Sequence, residues 1–397
     1  MRRRRISTTV FVAALSLSIA SGGIASAEPA APSARIVDTV LTSDTLRTLK
    51  VDSPAMGAVV EVQVLTPAVK TGPRPTLYML SGIGEEDPHN SMWLRKGQAA
   101  EFFADKNVNV VLPLAGPGSF YTDWQRDDPK LGRYQWETFL TEELPPLIDA
   151  AVDGNGRNAI AGLSMGAQSA MMLAARNPDV YSGVASYSGC FASAEPLGQA
   201  SIRAIVGAFG GNADNMWGGP FDPAWAEHDS VANAESLRGT DVYVSVGTGA
   251  PGRHESFDTA AGWDRVVVGG LIEVGSNYCT HRLADRLGQL NIPATFDFTE
   301  TGTHSWPYWV EQLPKSWPTL AGSLGISGRL LSGSMGSREA SSGRGASRLA
   351  SPTGLGGGRR SGTGRAGSVP ERFPSPPHRR LPRYCRNCVC RRIRDWT

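Results

Sequence analysis

Long apolar stretches are scarce in this chain of 397 residues. The one that stands out, Val10 to Ala20, follows Arg2 to Arg5 and precedes Ala25-Ser26-Ala27, which are the charged, apolar and small-residue parts of a secretory signal peptide. It is too short to be kept as a membrane span, and no later run is long enough. Residues 1–27 are therefore expected to be removed, leaving a chain that starts near Glu28, secreted or associated with the cell envelope. Cysteine is scarce too, with five in all. Three of them, Cys385, Cys388 and Cys390, crowd near the C-terminus without the second ligand pair that a zinc finger needs. That leaves Cys190 and Cys279, in an exported protein either a disulfide or two buried thiols.

Lysine is absent after residue 326, although residues 327–397 hold 15 arginines and only three acids. Setting these and the four N-terminal arginines aside from the 39 basic and 37 acidic residues of the whole chain leaves 20 and 34, a net charge of −14 for the body. An acidic body excludes nucleic acid as its natural partner. The segment 326–397, rich in Arg, Gly, Ser and Pro, lacks the aliphatic clusters that build a core and is expected to be disordered. Its all-arginine basicity suits a contact with anionic wall polymer, and its abrupt onset suits an altered reading frame.

What is present between residues 28 and 325 is one domain's worth of alternating elements. Leu49 to Val51, Ala58 to Leu65, Thr76 to Leu80, Val108 to Pro113, Ala159 to Ala161, Val184 to Tyr187, Asp241 to Val246 and Ala294 to Phe298 read as strands. Trp93 to Lys106, Glu137 to Val152, Ala167 to Arg176 and Trp263 to Leu290 read as helices, with Pro145-Pro146 inside the second. Gly207 to His228 reads as an irregular insertion. The alternation predicts an α/β class fold, a doubly wound and mostly parallel sheet with helices on both faces.

The chemistry centres on Gly162-Leu163-Ser164-Met165-Gly166. In a GxSxG turn between strand and helix the glycines permit close backbone approach and the serine is pushed out with its hydroxyl exposed. Ser164 is thus the candidate nucleophile. A serine hydroxyl needs a base, and the base a group to orient it. Of the downstream histidines only His304 follows the last predicted strand by a few residues, where a loop can carry it over the serine. Glu255, Asp258, Asp264 and Glu273 all remain open as the acid. Donors for an oxyanion are expected from the Met165 N–H and from the loop Leu80 to Gly84, through the Ile83 N–H.

Six separated strings together resemble the mycolyltransferases of the antigen 85 type, especially their corynebacterial relatives. They are SPAMG at 53–57, SFYTDWQ at 119–125, WETFLTEELP at 136–145, GLSMGAQSAM at 162–171, NMWGGPFDPAW at 215–225 and GTHSWPYWVEQL at 302–313. The resemblance spans about residues 36–325 and implies an α/β-hydrolase fold. It also implies transfer of a mycolyl group from trehalose monomycolate to another trehalose ester or to cell-wall arabinogalactan, with no metal or organic cofactor. By position it assigns Ser164 as nucleophile, His304 as base, Glu273 as acid, and Ile83 and Met165 as oxyanion donors. Ser81 and Gly84 stand where the family commonly has an aspartate and an arginine near the sugar. The cysteine pair of mycobacterial members is missing from Gln125 to Tyr134. Ser81, Trp217, Trp225, Trp306 and Tyr308 are the expected lining of a sugar subsite. A secreted carboxylesterase using the same triad, and a non-catalytic wall- or matrix-binding protein, are the alternative functions.

Overall fold

The computed structural model describes residues 33–114 and 116–326. The expected signal peptide and the expected tail, apart from Ile326, lie outside the described residues. Strands β1 (Arg35–Leu41), β2 (Leu46–Ser53), β3 (Ala58–Leu65), β4 (Arg74–Leu80), β5 (Asn109–Pro113), β6 (Gly154–Leu163), β7 (Tyr181–Tyr187), β8 (Asp241–Val246) and β9 (Thr295–Phe298) make one sheet. Their spatial order is β1-β2-β3-β5-β4-β6-β7-β8-β9. The first three strands pair antiparallel, as do β3 and β5, and every pairing from β5 to β9 is parallel.

Side chains alternate between the two faces of a strand, so each apolar run feeds two cores. In β4, Tyr78 and Leu80 join the core that includes Met171 and Ile160, while Leu77 and Met79 join the one that includes Trp93 and Trp309. The helix Met165–Arg176 packs in the first core and the helix Trp306–Ser323 in the second. From β4 the chain crosses to β5 on one side and returns to β6 on the other. That reversal opens a crevice beyond the carboxyl ends of β4 and β6, the place where such sheets hold ligands.

The family-like strings brace one another more than they line the crevice. Glu143 of the WETFLTEELP string accepts from the Ala55 N–H at 2.9 Å and from the Ser53 hydroxyl of SPAMG. Asp123 of SFYTDWQ takes the Thr138 N–H at 3.1 Å and the Thr138 hydroxyl at 2.6 Å. The Gln125 and Arg126 N–H groups donate to the Met216 and Asn215 carbonyls of the NMWGG string at 3.1 and 3.0 Å.

Three element readings change, and a fourth, the helix over Glu137 to Val152, holds in spite of its prolines. Arg35–Leu41, which carried no strand reading, form β1, an edge strand exposed along most of its length; little burial was required of it, so its apolar pattern was weak. The helix expected over Trp93 to Lys106 breaks into Met92–Arg95 and Ala99–Phe103. Gly97 packs against the Trp93 backbone and ring, and Gln98 takes a left-handed φ of 54°. Pro145 and Pro146 do not end their helix, because the preceding stretch Phe139–Glu143 is π-helical. Neither proline can donate to the carbonyl four residues back, and the wider turn absorbs that loss. The expected irregular insertion contains the helices Ala213–Trp217 and Ala224–Glu227.

Candidate active site

Each glycine of the GLSMG turn is required by contact. A Cβ on Gly162 would run into the Gly166 carbonyl, and one on Gly166 into the Leu80 and Ser81 carbonyls. The second glycine therefore lets the first turn of the helix Met165–Arg176 press against the end of β4. Ser164 sits between them at φ 55° and ψ −121°, a conformation that costs a non-glycine residue about 1–3 kcal/mol. Its N–H is anchored on the Tyr187 carbonyl at 2.9 Å.

Met165, as the first helical residue, contributes one of the N–H groups that a helix leaves without an internal partner. In the loop after β4, the Ile83 carbonyl accepts from the Gly118 N–H at 2.9 Å. Ile83 and Met165 are both buried. The loop after β4 that carries Ser81 and Ile83 is held by Glu85, which accepts from the Ser81 hydroxyl, from the Met92 N–H at 2.7 Å and from the Ser91 hydroxyl at 3.4 Å. Burial raises the Glu85 carboxyl above its ordinary range, against the pull of those three donors. Glu85 was not singled out on sequence, and no local pattern marks it.

The structure joins Ser164, His304 and Glu273 in one chain of hydrogen bonds. His304 Nε2 lies 2.8 Å from Ser164 Oγ, and His304 Nδ1 lies 2.8 Å from Glu273 Oε2. The other carboxylate oxygen of Glu273 accepts from the Ser188 hydroxyl and the Gly247 N–H, both at 2.7 Å. Ser188 in turn accepts from the Trp309 indole at 2.9 Å. At 1% exposure Glu273 is a buried carboxylate whose two oxygens are both satisfied.

Glu273 lies in the first turn of the helix Gly270–Leu290, continued backward by a π-helical stretch over Arg265–Gly269. His304 Nδ1 has one acceptor within reach, and it is Glu273 rather than the other three carboxylates left open on sequence. Asp258 bonds Ser256 near the surface, and Glu255 bonds Thr303 and Tyr308. Asp264 lines a cavity with Lys96, Arg265, Ser305 and Trp306.

Cys190 and Cys279 are joined as a disulfide. Cys190 lies two residues beyond Ser188 and Cys279 six residues beyond Glu273, about 9 Å along the helix at its usual rise. The bridge therefore fastens the Glu273 helix to the turn whose serine holds Glu273. It closes a separation of 89 residues, worth about 4.6 kcal/mol of unfolded-chain entropy in the chain-entropy model.

The expected sugar lining is corrected in three places. Trp217 and Trp225 are each 1% exposed; Trp217 stacks on His228 at 4.6 Å and Trp225 meets Trp217 edge-on. Neither has a face open to a sugar, because the insertion folds its tryptophans inward. The Ser81 hydroxyl is engaged by Glu85 in a residue only 2% exposed. Trp306 does border open space, a cavity of about 470 Å³ that it shares with Lys96, Asp264, Arg265 and Ser305.

A family model described as putative esterase matches residues 53–320. Diacylglycerol acyltransferase/mycolyltransferase Ag85B of Mycobacterium leprae is 34% identical over 286 residues, covering 70% of this chain and 83% of that protein. Ag85A of Mycobacterium tuberculosis is also 34% identical, over 287 residues, with 70% and 81% covered. The crystal structure of Mycobacterium tuberculosis MPT51 superimposes with a TM-score of 0.59 at 28% identity, over 70% of this chain and 97% of that one. An S-formylglutathione hydrolase from Agrobacterium tumefaciens shares the fold, with a TM-score of 0.55 at 18% identity over 73% and 99%. By the family model and by these relatives, this chain belongs to the esterase family, in its antigen 85 group, with an α/β-hydrolase fold.

Proposed function

We propose that this protein is an exported serine acyltransferase that moves a mycolyl group from trehalose monomycolate to a second trehalose ester or to arabinogalactan. The observation that carries it is the unbroken chain from Glu273 through His304 to Ser164 in a protein 34% identical to enzymes named as mycolyltransferases.

With Glu273 accepting at Nδ1, the imidazole keeps its proton there and presents the Nε2 lone pair to the serine. His304 takes the Ser164 proton as Oγ attacks the ester carbonyl carbon. The oxyanion that forms is met by the Ile83 and Met165 N–H groups. Collapse breaks the ester bond, His304 returns the proton to the departing sugar oxygen, and the acyl group stays on Ser164. An acceptor hydroxyl then gives its proton to His304, attacks the acyl-enzyme and leaves as the new ester, restoring the serine. Glu273, fixed by Ser188 and Gly247, stabilises the imidazolium in both halves.

Transfer rather than hydrolysis requires a place for a sugar beside the histidine. The cavity bordered by Ser305 and Trp306, the two residues after His304, offers an indole, a hydroxyl, cationic groups from Lys96 and Arg265 and the carboxylate of Asp264. That mixture suits a ligand rich in hydroxyls. One observation favours the alternative of a carboxylesterase: the Ser81 hydroxyl is engaged by Glu85 and Gly84 has no side chain, so both family sugar contacts on that loop are lost.

Incubating the purified exported protein with trehalose monomycolate and chromatographing the lipids tests the proposal. Trehalose dimycolate is expected. Free mycolic acid alone would favour the carboxylesterase, and unchanged substrate a non-catalytic binding protein.

A further inference from the structure

Glu255 is a half-buried carboxylate in the loop between β8 and the Glu273 helix. One of its oxygens accepts from the Thr303 hydroxyl at 2.6 Å. The other accepts from the Gly252 N–H of its own loop at 2.6 Å and from the Tyr308 hydroxyl. Thr303 immediately precedes His304, and Tyr308 lies in the first turn of the helix that follows it. The same two segments are laced by main chain, since Gly249 N–H donates to the Gly302 carbonyl and Gly302 N–H to the Ala250 carbonyl, both at 2.8 Å.

We propose that Glu255 is a positioning residue that sets the place of His304 by gripping the chain on both sides of it. Glu273 orients the imidazole through Nδ1, but it exerts no hold on the main chain that carries the ring. On the main chain of His304 itself the hold is one bond of 3.2 Å, from its N–H to the Gly269 carbonyl. Thr303 is 1% exposed and also within 3.2 Å of the Ser305 hydroxyl, so its hydroxyl couples Glu255 to both neighbours of the histidine. Gly302, at φ 138°, lies against the Tyr308 ring. Without the carboxylate, the main-chain bonds at Gly302 remain, but the turn from Thr303 to Ser305 loses its side-chain link to the opposing loop, and Nε2 loses its fixed approach to Ser164. This role rests on the acyl-transfer reading of Ser164 and His304.

The test uses the whole exported protein and a short chromogenic ester. Glu255→Ala is expected to lower kcat between about tenfold and a hundredfold, the scale of a misplacement near 1 Å, with KM nearly unchanged. Glu255→Gln should recover most of kcat, because its amide oxygen can keep accepting from the Gly252 N–H and the Tyr308 hydroxyl while its NH₂ donates to the Thr303 hydroxyl, which can reverse its role. Thr303→Val should fall part of the way, and adding it to Glu255→Ala should cost less than the sum of the two, as expected of residues in one network. Thr303→Val also carries the test if Glu255→Ala fails to fold. Parental kcat in the alanine variant, a loss seen only in melting temperature, or an equal loss in the glutamine variant overturns the proposal. Ser164→Ala assayed alongside separates the two claims, since activity surviving there contradicts the reading of the site whatever Glu255 does.

Discussion

Ser164→Ala is expected to abolish ester cleavage and acyl transfer together while the fold stays intact. The substitution removes one hydroxyl and keeps the Cβ, so the strained backbone at φ 55° is asked of the same carbon skeleton. What is lost structurally is one hydrogen bond to His304, about 1 kcal/mol or less of net stability. What is lost chemically is the atom that forms the acyl-enzyme. Removing the triad serine of subtilisin costs on the order of a millionfold in turnover. Steady-state turnover and thermal melting on the same preparation check both halves. Retained activity above about one hundredth of the parent would contradict the nucleophile role, given the size of that precedent.

Glu273→Gln is expected to be the next most damaging single change, and the hydrogen bonds say why. Two donors, Ser188 Oγ and Gly247 N–H, converge on Oε1, and one, His304 Nδ1, meets Oε2. An amide has one oxygen. Left facing the two donors, it turns its NH₂ toward Nδ1 and forces the histidine proton onto Nε2, where the lone pair is needed for Ser164. Turned the other way, it sets NH₂ against the Gly247 N–H, which cannot reverse its role. Either arrangement also leaves the imidazolium without its counter-charge. A loss of about ten thousandfold in turnover is the precedent for the equivalent change in the serine-protease triad. Asp258→Asn, whose carboxylate bonds only the nearby Ser256 at the surface, should stay near the parental rate. Collapse of Asp258→Asn with survival of Glu273→Gln would show the acid misassigned.

The parts of this site that the sequence disclosed are those fixed by local geometry. Gly162 and Gly166 flank a serine because no side chain fits where the turn meets β4, and that steric demand is written into five adjacent residues. His304 was legible because it follows the last strand. Glu273 was not legible from pattern alone: it comes from a helix whose approach to β8 is set by tertiary packing, and four carboxylates had similar local settings until the family resemblance chose among them. Glu255 passed for a rival acid because sequence cannot tell a carboxylate that faces a histidine from one that grips its neighbours. Trp217 and Trp225 passed for sugar platforms for a related reason, since a Gly- and Asn-rich segment reads as exposed loop until its indoles are seen packed in the core. β1 was lost because an edge strand asks little burial of its residues.

The most direct test is to look for the acyl group on Ser164. The purified protein is mixed with a short-chain trehalose ester, quenched in acid within the first turnovers, and measured by intact-mass and peptide mass spectrometry. The account predicts one acyl addition per chain, carried by the peptide that contains Ser164, and its discharge when trehalose is added as acceptor. Turnover with no covalent adduct, or an adduct on any other residue, would contradict it.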